Sequence, residues 1–136
     1  SPEENLIPLV NALGIASSVR FYPPVSEVAM LYANASVLVM TSRSEGLGVV
    51  LLEAMASGLP CVAYDCPVGP RSIITDGVNG FLVEDGNATA FVEKLALLFE
   101  DKDLRKKLGA SAQHSVSKYD LDAIMLQWKT LFERLQ

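Results

Sequence analysis

The run from Val37 to Pro60, V-L-V-M-T-S-R-S-E-G-L-G-V-V-L-L-E-A-M-A-S-G-L-P, constrains this chain more than any other stretch. Val37 to Met40 is wholly apolar and ends in small polar residues, the pattern of a buried strand leaving the core into a loop. A helix then runs from about Gly48 to Ser57 and is closed by Gly58 and Pro60, in the order that stops helices. It is apolar almost all the way round, so it is expected to be buried. Strand, short loop and buried helix in that order make one step of an α/β fold.

The rest of the chain repeats the step. Ser1, Pro2 and Glu4 read as a helix start with a capping box, followed by an inward stripe of Leu6, Leu9, Val10 and Leu13 up to Gly14. Val19 to Tyr22 reads as a short strand ended by Pro23 and Pro24, and Ser26 as the cap of a helix with Val28, Met30, Leu31 and Ala35 apolar. Cys61 to Tyr64 is an apolar strand, Arg71 to Thr75 a helical turn, Asp76-Gly77 and Asn79-Gly80 are turns, and Phe81 to Val83 is the last strand. Asn87 caps a helix with Phe91, Leu95, Leu98 and Phe99 inward, and Asp101 or Asp103 starts the next, through Leu104, Leu108 and Ala112. Past Tyr119 and Asp120, a helix carries an apolar face of Leu121, Ile124, Met125, Trp128, Leu131, Phe132 and Leu135. The predicted fold is α/β, a Rossmann-like parallel sheet of about four strands with helices on both faces. Residues 1–136 form one domain, with no internal repeat or linker.

Composition narrows the function classes. With half of its 136 residues hydrophobic and a formal charge of −5, the chain suits a soluble α/β domain and offers no basic stripe for nucleic acid. No apolar run reaches the ~18 residues of a membrane span, and the start has no signal-peptide pattern. Cys61 and Cys66 fit free thiols of a reduced compartment, so the cytoplasm is the expected location. The D-x-D of Asp101 and Asp103 sits in a polar helix–helix turn without neighbouring ligands, and no metal is expected. His114, the one histidine, lies on a polar stretch and reads as a surface residue.

The chemistry concentrates at Glu45 and Glu53. A glutamate buried among Val49, Val50, Leu52, Met55 and Ala56 costs several kcal/mol unless satisfied, so Glu53 requires a partner, either a nearby Arg or amide or a ligand. The free amides of Leu47, Gly48, Val49 and Val50 open the helix and, with its dipole, form a seat for an anion such as a diphosphate. Glu53 lies about 7 Å further along the axis, at roughly 1.5 Å per residue, and Glu45 sits on the other side of the amides. Two hydroxyl-accepting carboxylates flanking a diphosphate seat suit a ligand with a sugar at each end, a nucleotide sugar. Arg43 and Arg71 are the cations within reach of the same seat.

These residues carry a resemblance. S-E-G-L-G-V-V-L-L-E-A-M-A-S-G-L-P-C-V-A is similar to the E-x7-E signature of the retaining glycosyltransferases of family four, and Y-D-C-P-V-G-P-R-S-I-I-T-D-G-V-N-G-F-L-V resembles the segment that follows it. The similarity spans about Val19 to Phe99. It implies the C-terminal, donor-binding domain of the two-domain GT-B fold, lacking on its N-terminal side two further strands and an acceptor-binding domain. By that resemblance Glu45 contacts the transferred hexose, and the amides from Gly46 through Leu47, Gly48, Val49 and Val50 serve sugar and diphosphate. Glu53 takes the ribose hydroxyls, while Tyr22, Pro23, Pro24 and Val25 line the base pocket. Leu47 stands where the family usually has Phe and Ser72 where it usually has Glu, and the family's Arg and Lys for the diphosphate have no counterpart here.

The implied activity is transfer of a hexose, with retention, from a nucleotide diphosphate sugar, UDP-linked by expectation, to a glycan or glycolipid acceptor. No other cofactor is expected. The implied setting is bacterial polysaccharide assembly in the cytoplasm or at the inner face of the membrane, and the fragment alone is expected to be inactive. The alternative is a non-catalytic binding or assembly module on the same fold, which Leu47, Ser72 and the lost basic residues favour and the intact pair of glutamates opposes. A dinucleotide-binding dehydrogenase is disfavoured because E-G-L-G-V-V lacks the third glycine of its fingerprint. The helix over 120–136 either packs towards the absent domain or lets Trp128 cover this domain's own core. Without the two further strands, the strand at Val37 is expected to pair directly with Val19–Tyr22 or with another copy of the chain, because an open edge of this kind invites aggregation.

Overall fold

The structure, a computed structural model, describes residues 2–135, with side chains from residue 5 onward. The capping box needs Ser1, which lies outside the described residues, and the side chain of Glu4, which lies outside the described side chains. In chain order the elements are helix α1 (Pro2–Ala12), helix α2 (Val28–Asn34), strand β1 (Leu38–Met40), helix α3 (Val49–Ala56), strand β2 (Cys61–Asp65) and helix α4 (Pro70–Ile73). Strand β3 (Phe81–Glu84) and helices α5 (Ala88–Glu100), α6 (Lys102–Val116) and α7 (Leu121–Arg134) complete it. The strands form one parallel sheet in the order β1-β2-β3, with Leu38 opposite Cys61 and Val62 opposite Phe81.

Side chains alternate across this sheet, and each face has its own core. On one face, Met40 of β1 and Cys61 and Ala63 of β2 pack with Leu51, Ala54 and Met55 of α3, Ile73 of α4, and Ala112 and Val116 of α6. On the other, Val62, Phe81 and Val83 pack with Phe91 and Leu98 of α5 and Leu108 of α6. Helix α6 therefore closes one end of both layers. Its start is fixed by Asp101, whose carboxylate accepts from the amides of Asp103 and Leu104 at 2.9 and 2.8 Å. The D-x-D is thus a helix cap, and among the described residues no group of three or more His, Cys, Asp or Glu could hold a metal ion. Asn87 caps α5 in the same way, accepting from the Ala90 amide at 3.1 Å. The Ser26 cap is not formed: α2 begins after Glu27, with no side chain on its first amides.

Several expectations are corrected. The sheet has three strands, because Val19 is extended (φ −113°, ψ 133°) yet residues 19–22 join no ladder. Extended backbone becomes a strand only with a partner, and this segment leads into Pro23 and Pro24, which have no N–H to donate. Direct pairing of β1 with residues 19–22, the cover expected from within the chain, is therefore not met. Among the described residues β1 has a neighbour on one side only, and Val39 is half exposed.

Helix α3 is buried on one face only, through Leu51, Ala54 and Met55, while Val49, Val50 and Glu53 are exposed. An all-apolar sequence shows that a helix can be buried all round, not that this chain supplies a cover for each face. For the same reason the α1 stripe of Leu6, Leu9 and Leu13 is exposed rather than inward, with Val10 half-buried, and Phe99 points outward from α5. Finally, no residue of α7 is buried and Trp128 is 51% exposed, so Trp128 does not cover the core of the described residues. No helix among them is long and apolar enough to cross a membrane.

Candidate functional site

The site grows from the loop between β1 and α3. Gly48 precedes the helix in the left-handed region (φ 83°, ψ 49°), where a side chain is strained, and no side chain caps the helix start. Its carbonyl accepts from the Leu51 amide at 2.9 Å, while the amides of Val49 and Val50 ahead of it are among those a helix start leaves without an intrahelical partner. The macrodipole places partial positive charge at the same point. The result is an uncapped, positively polarised helix entrance between Glu45 on the loop and Glu53 one turn into the helix.

A second loop braces the first. Gly69, at φ 99°, lies so close to it that a Cβ there would sit 3.0 Å from the Leu47 carbonyl oxygen and 3.1 Å from the Glu45 Cβ. The residues after β2 thus set the position of the Glu45 loop, and the glycine of the C-P-V-G-P run is there for close approach as well as for its turn. Asn79 fastens the next turn: its amide nitrogen donates to the Ile73 carbonyl at 3.1 Å and to Ser115 Oγ at 2.9 Å, and its oxygen accepts from the Thr75 amide at 2.7 Å. Tyr119 adds a tie from the α6–α7 junction, donating to the Ser72 carbonyl at 3.1 Å.

Glu53 is exposed, so the desolvation argument that gave it a partner does not hold, yet it has one. The Tyr32 hydroxyl donates to Glu53 Oε2 at 3.0 Å, and no arginine holds the carboxylate among the described residues. Tyr32 is the one buried residue of α2. Burial, then the hydrogen bond and charge of Glu53, push the phenol up to about 12, so it is a fixed donor at neutral pH. Sequence reading missed Tyr32 by taking α2 as a general apolar face. The signal was there in Val28 and Tyr32, four residues apart, with Met30 and Leu31 turned out instead.

The remaining sequence candidates divide. Arg71 lies on α4 with Nε donating to one carboxylate oxygen of Asp65 and Nη2 to the other, each at 2.8 Å, a fork that holds the side chain towards Asp65 and raises its proton affinity further. Arg43 is exposed on the Glu45 loop. Tyr22, Pro23, Pro24 and Val25 are exposed in the segment before α2 and line no cavity described here. An open groove of about 220 Å³ borders Glu53, lined also by Leu52, Ala56, Val116, Tyr119 and Asp120, and Glu45 takes no part in it. Cys61 and Cys66 are buried free thiols, and burial pushes Cys61 up to about 12, which leaves it inert.

The family model for glycosyl transferases group 1 matches residues 1–115, which takes in both glutamates, the helix entrance and the bracing loop. The chain belongs to that family. Among its group 1 relatives is an uncharacterized glycosyltransferase of Haemophilus influenzae, 36% identical over 127 residues that cover 93% of this chain and 36% of that protein. The TarM structure from S. aureus, a mutant in complex with Fondaparinux, alpha-GlcNAc-glycerol and UDP, superimposes with a TM-score of 0.90 at 27% identity, over 97% of this chain and 27% of that one. HepE of Anabaena, in complex with UDP, also gives 0.90, at 26% identity over 96% of this chain and 36% of that one. This group 1 chain spans about a third or less of curated relatives that it matches. The α/β fold with a parallel sheet between helices is thus that of a GT-B glycosyltransferase.

Proposed function

We propose that this chain is the donor-binding part of a retaining glycosyltransferase that moves a hexose from a UDP-linked sugar to a glycan or lipid-linked acceptor. The observation that carries the reading is the uncapped entrance of α3, with a carboxylate on the loop before it and another a turn inside it. In this reading the amides of Gly46, Leu47, Gly48, Val49 and Val50 receive the diphosphate and the sugar. Glu45 meets the transferred hexose and Glu53 accepts the ribose hydroxyls. Amides fixed by the helix stabilise charge on the departing diphosphate without reorganising, and the two carboxylates orient the sugars at either end. Arg43 adds a cation from the same loop. UDP in the TarM and HepE structures supports the choice of nucleotide. The acceptor belongs to a partner domain, the base to the segment Tyr22–Val25, and the work to polysaccharide assembly on the cytoplasmic side.

Calorimetry with UDP on this chain and on Glu53→Ala tests the reading. Loss of a charged acceptor worth roughly 1.5–3 kcal/mol weakens binding by about tenfold or more. Equal affinities remove Glu53 from the site.

A further inference from the structure

The bond between Tyr32 and Glu53 joins a buried side chain of the core to an exposed carboxylate of the candidate site. Glu53 is exposed and would be satisfied by water, so the carboxylate itself needs no protein donor, while the buried Tyr32 hydroxyl does need an acceptor. The donor nevertheless comes from a side chain fixed on three counts. Tyr32 is only 8% exposed, it lies in the core beside the sheet, and it is the buried anchor of α2. A glutamate on a helix surface otherwise samples several rotamers, each ordering event costing entropy at the moment of binding.

Tyr32 engages Oε2 alone, and no described residue donates to Oε1. The carboxylate is therefore held at one oxygen and open at the other, and each oxygen accepts more than one hydrogen bond. That arrangement suits a vicinal diol, whose two hydroxyls donate to one carboxylate.

From this we infer that Tyr32 is a positioning residue for ribose recognition, locking the Glu53 carboxylate in the rotamer that accepts the 2′- and 3′-hydroxyls of the donor nucleotide. The inference rests on the donor-binding reading above and assigns to Tyr32 a part of its selectivity. The phenol touches no substrate; it acts through Glu53 by removing the entropy of orienting it.

The test compares UDP with 2′,3′-dideoxy-UDP by calorimetry on the wild-type chain, Tyr32→Phe and Glu53→Ala. The wild type prefers UDP by about tenfold, Glu53→Ala shows no preference, and Tyr32→Phe retains only part of it, with its UDP affinity falling about threefold. Affinity for the dideoxy nucleotide stays unchanged in Tyr32→Phe, which separates positioning from general loosening of α2, since loosening weakens both ligands alike.

Failure of the two readings is distinguishable. No binding of UDP by the wild type, or full preference kept in Glu53→Ala, overturns the donor site and Tyr32 with it. Preference lost in Glu53→Ala but intact in Tyr32→Phe, or an equal loss for both nucleotides in Tyr32→Phe, overturns the role of Tyr32 alone. A readout that needs no variant is the Tyr32 ring carbon bearing the hydroxyl, whose NMR shift moves with saturating UDP and stays still with the dideoxy analogue. A carbon that ignores bound UDP also overturns the role.

Discussion

Two side chains of the first core layer hold their protons more tightly in the folded protein than in the unfolded chain, and they set its response to alkali. Burial, helped by Glu53, raises Tyr32 from 10.0 to about 12, and burial raises Cys61 from 9.0 to about 12. Between those limits the unfolded chain releases protons that the folded one keeps, so stability falls with rising pH. Their contribution is whole below about pH 9 and is lost progressively as the pH approaches 12. Urea midpoints measured from pH 8 to 11 are expected to decline, and the double variant Tyr32→Phe, Cys61→Ala to decline less. A slope identical in the two proteins would show that neither group is linked to folding. The same two residues mark what single letters tell a reader. Cys61 reads as a buried thiol from its strand alone, whereas the use made of Tyr32 depends on Glu53, 21 positions away.

At the scale of elements, α6 approaches the backbone at the end of α3 closely. A Cβ on Gly109 would fall inside contact distance of the Gly58 carbonyl oxygen, and that oxygen is backbone just past the end of α3, so it cannot swing aside. Alanine at an exposed helix position gains about 1 kcal/mol over glycine, but here the helices must part. Gly109→Ala is expected to lose about 1–3 kcal/mol net, read as a lower urea midpoint with the slope unchanged. A gain in stability would mean that α6 can slide without cost.

This contact also shows where sequence reading stops. The helices α3, α5 and α6 and the strands β2 and β3 were legible because apolar periodicity, caps at Asn87 and Asp101 and stop signals at Gly58 and Pro60 are local. The Glu45 and Glu53 pair was legible for the same reason, being eight residues apart on one loop and helix. The strand at 19–22 was not, because a ladder is a property of two segments, and the apolar letters of Val49, Val50 and Phe99 do not say whether anything covers them. Gly69 and Gly109 read as turn and helix residues, since nothing near them in sequence reports a backbone arriving from elsewhere.

Over the whole molecule, cohesion is uneven. The sheet with α3, α5 and α6 shares two cores, while α7 places no side chain in either and shows Leu121, Met125, Trp128, Leu131, Phe132 and Leu135 to solvent. A helix of 14 residues with no fully buried side chain is marginal in water, because its stability comes mainly from burying an apolar stripe. In the isolated chain the amides of α7 are therefore expected to exchange near the rate of local opening, while those of β2, α3 and Leu108 of α6 exchange only on global unfolding. Removing residues 121–135 but keeping Tyr119 and its bond to Ser72 should leave the urea midpoint of the core unchanged within error. Slow exchange throughout α7 in dilute protein would contradict the uneven picture. Protection that appears only as concentration rises would mean that the exposed apolar face, or the open edge of β1, is being covered by another copy.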